Sequence, residues 1–154
     1  MTTANAVYPV TADEDYPDAV AGSLETLKVR LLAELTGSGY SLTGSEVLTC
    51  LVKATVFYVA HATLETQRRQ SEGSTTALTI DGTLNLDIYE WTVIQPLARA
   101  YCDQLQAYRM EAARSLGMEQ YGMPVSEAMQ RVTEAEMNLP KAAFVEAPYS
   151  IELG

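Results

Sequence analysis

The pattern of apolar positions is densest over residues 43–70, TGSEVLTCLVKATVFYVAHATLETQRRQ, and the rest of the chain is laid out around that stretch. Val47, Leu48, Leu51, Val52, Val56, Phe57, Val59 and Leu64 point to several faces of a 3.6-residue period, so a helix made of them must be covered on most of its circumference. Thr43 and Glu46 have the spacing of a capping box, in which the side chain of each accepts the other's backbone N–H. The spacing predicts a helix over residues 44–70 with Arg68 and Arg69 in its last turn, where they complement the negative end of the helix dipole. A bilayer span needs roughly 20 predominantly apolar residues. This run is shorter and carries Lys53, Thr49, Thr55 and Thr63, which argues for a covered helix of a bundle and against a membrane.

The flanking patterns complete a helical plan. Leu24, Leu27, Leu31 and Leu35 recur on one face behind a candidate N-cap, Ser23, and Gly37 is placed to end that helix; the short GSGYSL connection then suits an antiparallel pair. After Gln70 the period changes to alternation. Leu78, Ile80, Leu84 and Leu86 flank Asp81-Gly82, a hairpin signal spanning about residues 75–86. Asp87 is a good N-cap, with Glu90 three residues later, and opens a long helix over 87–116. Trp91, Ile94, Ala98, Tyr101, Leu105, Tyr108, Ala112 and Leu116 draw one stripe along it, Pro96 is expected to kink it, and Gly117 to end it. Pro124 opens a last helix to about residue 138, with Val125, Ala128, Met129 and Val132 on its apolar side, and Pro140 is expected to stop it.

The expected fold is mainly α: a helical bundle with two long antiparallel helices, a short β-hairpin insertion and extended N- and C-terminal arms. Residues 1–22 form an acidic arm (Asp13, Glu14, Asp15, Asp18) punctuated by Tyr8-Pro9 and Tyr16-Pro17. Residues 23–139 form the helical domain. Residues 140–154 form a C-terminal docking arm whose Phe144, Val145, Tyr149, Ile151 and Leu153 are the candidate partner-binding residues, because apolar residues at alternate positions on a terminal tail are laid along a surface.

Length and charge narrow the function. At 154 residues and 47% hydrophobic the chain has the material for one packed domain. Its net charge of −10 disfavours duplex nucleic acid as a ligand for the whole surface, since such binding neutralises phosphates with Lys and Arg. The same acidity suits a passage that DNA must traverse without sticking. The N-terminus, MTTANAVYPV, has neither the basic start nor the apolar core of a secretory signal, so synthesis and folding in a cytoplasm are expected.

Residues that could carry chemistry do not assemble into a known motif. Cys50 and Cys102 each fall within a predicted helix with no CxxC; the expectation is two buried, reduced thiols, with a disulfide between the two central helices as the other reading. His61 sits on an apolar helix and is expected as a satisfied core residue. A zinc site from Cys50, His61 and Cys102 lacks a local ligand pair. A di-iron bundle requires Glu-x-x-His, and Tyr58 stands three before His61. No two glutamates stand three apart, no lysine follows a glycine, and there is no GxSxG. The expectation is a non-enzymatic chain with no cofactor and no metal.

Tyr58, Tyr89, Tyr101, Tyr108 and Tyr121 lie on or beside the long helices, filling the bundle or facing partners. Arg99, Arg109 and Arg114 alternate with Asp103 and Glu111 on the polar side of the second long helix, a pattern that fits a solvated face or packing against copies in a ring. The order of two helices, a small hairpin, the long helix LDIYEWTVIQPLARAYCDQLQAYRMEAARSLG and a proline-punctuated tail from Leu139 resembles the head-to-tail connector, or adaptor, proteins of tailed bacteriophages over about residues 24–154. That resemblance implies a dodecameric ring in the virion, at the head–tail junction, made in the host cytoplasm and bound to the portal protein and to a tail or neck protein. DNA would pass through it without sequence-specific binding. Leu78, Ile80, Leu84, Arg99 and Arg109 are the candidate subunit-interface residues. The alternative is a cytoplasmic α-helical binding or regulatory protein acting as a small oligomer.

Overall fold

Ser23 caps the first helix, α1 (Leu24–Gly37), through its hydroxyl, which accepts the N–H of Thr26 at 3.2 Å; Leu24, Leu27, Leu31 and Leu35 are all buried, as the period requires. A computed structural model describes residues 20–70, 77–118 and 122–146. The chain leaves α1 not at Gly37, which is the helix's last residue, but at Gly39, whose φ of 90° lies in the left-handed region that glycine tolerates. Tyr40 then returns its N–H to the Leu35 carbonyl at 2.9 Å.

The next helix, α2 (Gly44–Val59), starts at the expected capping box: Glu46 N–H reaches Thr43 Oγ1 at 3.3 Å and Thr43 N–H reaches Glu46 Oε2 at 2.7 Å. It does not run to Gln70. Ala60, His61 and Ala62 turn the chain, with the amides of His61 and Ala62 both on the Tyr58 carbonyl at 2.9 Å, and a separate short helix, α3 (Glu65–Gln70), follows. The break is tertiary in origin. It lets Leu64 bury completely, while the Glu65 N–H at the start of α3 is taken by a carboxylate from elsewhere in the fold, that of Glu90, at 2.9 Å. His61, expected in the core, is exposed and holds the Phe57 carbonyl through Nδ1 at 2.9 Å.

The fold contains a two-stranded antiparallel sheet, with a different pairing from the local hairpin that the alternation predicts. Strand β1 (Val20–Ser23) pairs with strand β2 (Asn85–Asp87), with Gly22 opposite Leu86 and an irregularity between Val20 and Gly22. Residues 20–22, assigned to the N-terminal arm, therefore belong to the folded unit. The Asp81-Gly82 turn does form, with Thr83 N–H on Asp81 Oδ1 at 2.8 Å and Leu84 N–H on the Asp81 carbonyl at 3.2 Å. It serves α1. The first amides of a helix have no intrahelical partner, and here Leu24 N–H takes the Leu84 carbonyl and Glu25 N–H the Gly82 carbonyl, both at 2.9 Å.

The long helix α4 (Ile88–Ser115) has 28 residues, about 42 Å at 1.5 Å per residue, and opens with the Asp87–Glu90 capping box. It continues through Pro96 as one element. Its predicted stripe is buried only in the first two thirds: Ile94, Ala98 and Tyr101 are buried, while Tyr108 and Leu116 are exposed, the latter at 80%. The last helix, α5 (Val125–Glu146), passes Pro140 and extends eight residues beyond the predicted end at 138. Pro140 removes one backbone bond, yet Leu139 and Ala143 on either side of it are buried, so packing holds the turn in place. The start of the C-terminal arm is thereby helical, and Met129, expected on the buried side, faces outward.

Contacts along the helices give their directions. Glu46 lies by Arg109 and Lys53 by Tyr101, so α2 and α4 run antiparallel. Asp103 lies by Arg131 and Tyr101 by Glu136, so α4 and α5 are antiparallel as well. Helix α4 is the shared element, and one continuous core joins it to α1, α2, both strands and α5. Among the described residues no helix is long and apolar enough to cross a membrane.

Candidate functional site

Helices α4 and α5 leave a groove of about 500 Å³ between them, within the range of pockets that enclose a small ligand or a few side chains. Val93, Leu97, Ala100 and Leu139, all buried, make its floor, and Pro96 lies along it. Its rim carries Arg99, Asp103, Arg131, Glu134 and Asn138. Position on the helix explains part of this division: residues 93, 97 and 100 follow the three-and-four spacing that turns them to the core, and 99 falls one step off it.

The rim charges are tied into the fold. Arg131 donates to Glu127 Oε1 at 2.9 Å and sits 3.9 Å from Asp103 Oδ2; Arg99 pairs with Glu34 of α1. Tyr40 donates its hydroxyl to Asp103, and burial together with that carboxylate pushes the phenol up to about 12. Tyr101 donates to Glu136 Oε1 at 2.8 Å, bridging α4 to α5, and burial raises its pKa first, Glu136 second. The Lys53 ammonium lies 4.2 Å from the centroid of the same ring, a cation–π contact. Arg109 donates to the Ser41 carbonyl at 2.6 Å and to Glu46. The Thr43 amide first, and Arg109 second, hold the Glu46 carboxyl below its ordinary value.

The structure places the sequence-selected residues in three groups. Leu84 is buried, and Leu78 and Ile80 are half-buried against the core, so much of the apolar surface proposed for a subunit interface is spent within the chain. Arg99 and Arg109 make inter-element bonds of their own chain, and only Arg99 touches the groove. Phe144 and Val145 fall in α5, with side chains outside the described residues; Tyr149, Ile151 and Leu153 lie outside them altogether.

Sequence reasoning missed a different set. Ile88 at the start of α4, Leu116 and Met118 just past its end, and Met129 and Met137 on α5 are large apolar side chains that remain exposed, from 49% at Met129 to 80% at Leu116. Met137 could have been found from the period, since it lies half a turn from Leu139. Leu116 could not, because its burial depends on which helix reaches that level. Cys50 and Cys102 are buried and free, and they neighbour each other between α2 and α4. Among the described residues no group of three or more His, Cys, Asp or Glu side chains could hold a metal ion. What the surface offers a partner is apolar area and hydrogen-bonding rim groups. Comparison with protein-family models, with curated proteins and with solved structures returned no match.

Proposed function

We propose that this chain is a non-enzymatic structural subunit of a dodecameric ring that joins the portal of a tailed-phage capsid to the tail and lines the DNA passage. The observation that carries the reading is the set of large apolar side chains at both ends of α4 and along α5 that the described residues leave exposed. Surfaces of that kind mark interaction sites. The order of helices around a long, capping-box-opened α4, and the net charge of −10, support the same reading.

Native mass and particle association test it. In cells producing the chain with a portal-bearing capsid, the proposal expects co-sedimentation with particles, and deletion of residues 147–154 is expected to leave the melting temperature unchanged while weakening attachment. The cut belongs at 147, because α5 runs to Glu146 and Ala143 is buried. A chain that stays a monomer or dimer and never sediments with particles overturns the proposal. That outcome would favour the second reading, a small α-helical binding protein, for which the groove between α4 and α5 is the supporting observation.

A further inference from the structure

The two cysteines are far apart in sequence and meet in the fold. Cys50 lies on the inner face of α2 and Cys102 on the inner face of α4; they are 6% and 0% exposed, and each lies close enough to the other to shift its pKa. Contacts on both sides fix that meeting: Lys53 rests on the Tyr101 ring at 4.2 Å, and Glu46 holds Arg109. One turn away in each helix is a fully buried alanine, Ala54 on α2 and Ala98 on α4, and side chains this small let two backbones approach closely. We propose that Cys50 and Cys102 are a redox-modifiable pair, closed by a low-molecular-weight disulfide into a covalent cross-link between α2 and α4.

The two thiols have different roles. Cys50 has the small opening to solvent. The neighbouring Cys102 first, and Lys53 to a lesser degree, lower its pKa, whereas Cys102 is raised by Cys50 first and by burial second. Cys50 is therefore the attacking thiolate. Its Sγ bonds to one sulfur of the small disulfide, the S–S bond of that molecule breaks, and the expelled thiolate takes up the proton that Cys50 released. Cys102 then loses its proton, attacks Cys50 Sγ and expels the second small thiolate, which is protonated in turn. The protein loses two electrons and two protons, and one disulfide molecule becomes two thiols. In a reducing compartment the pair stays as thiols, and in an oxidising one it closes. The cross-link ties the first long helix to the second around everything between them, restricting the unfolded chain.

Incubating the folded full-length chain with oxidised glutathione tests this, read by intact mass, peptide mapping under non-reducing conditions and thermal melting. The expected product is monomeric, lighter by two hydrogen atoms, contains one Cys50–Cys102 peptide pair, and melts about 5 °C or more above the reduced protein. Cys102→Ala is expected to stop at a stable glutathione adduct on Cys50, and Cys50→Ala to remain unmodified, because the remaining thiol is closed off. Persistence of both thiols in the folded chain, under conditions that oxidise the urea-unfolded chain, overturns the proposal. So does a product consisting of intermolecular dimers, or a Cys50→Ala variant that is modified as fast as the native protein.

Discussion

The carboxylate of Glu90 accepts the backbone N–H of Glu65 at 2.9 Å through Oε2, while its other oxygen accepts the N–H of Asp87 at 3.0 Å. One buried side chain thus completes the capping box of α4 and supplies the first amide of α3, 25 residues earlier in the chain, with an acceptor. Burial raises the pKa of Glu90 above its usual 4.5, the two amide bonds opposing that shift.

Replacing Glu90 by Gln leaves only one carbonyl oxygen for two amides, so one N–H loses its acceptor, at a cost of about 1–3 kcal/mol. The pH dependence has a definite sign. A raised carboxyl pKa means that the folded state holds the proton more tightly than the unfolded chain, so the contribution of Glu90 is fully present below pH 4.5 and declines as pH rises through the folded-state value. The stability advantage of the native protein over Glu90→Gln is therefore expected to narrow over that interval, measured by urea unfolding at a series of pH values. An advantage that widened instead would contradict the assignment.

Tyr101 ties α4 to α5 through Glu136, and Tyr101→Phe removes that bond while keeping the ring under Lys53. A loss of about 0.5–1.5 kcal/mol is expected. A double-mutant cycle with Glu136→Ala, which removes the acceptor, isolates the pair; two fully additive single effects would show that the hydroxyl and the carboxylate do not interact in solution.

Leu97 is fully buried and forms part of the groove floor. Leu97→Ala is expected to cost about 2–5 kcal/mol, the spread reflecting how far the site collapses. Leu51, equally buried on α2, is less forgiving. Leu51→Asp places an unpaired charge in the core and is expected to abolish the cooperative thermal transition seen by circular dichroism.

Pro140 interrupts the backbone bonding of α5 without ending the helix. An interior proline is about 3 kcal/mol less favourable than alanine, partly offset by its smaller unfolded-state entropy, so Pro140→Ala is expected to stabilise by about 1–2 kcal/mol in chemical denaturation. A helix that truly stopped at 139 would give no gain.

Local chemistry determined much of this fold from the sequence. The caps at Ser23, Thr43 and Asp87 and the leucines at 24, 27, 31 and 35 depend on neighbours within a few residues, and they appear where the pattern puts them. Tertiary structure decided the rest, because the deciding partners are distant in the chain. Residues 85–87 pair with 20–23 because the unsatisfied amides at the head of α1 draw the Gly82 and Leu84 carbonyls onto them. The 44–70 stretch breaks after Val59 because burying Leu64 and capping Glu65 on Glu90 outweigh the hydrogen bonds of an uninterrupted helix. Helix α5 passes Pro140 because Leu139 and Ala143 have a core to enter. The meeting of Cys50 with Cys102 and the groove between α4 and α5 follow from the antiparallel register of whole helices, a property that no window of neighbouring residues contains.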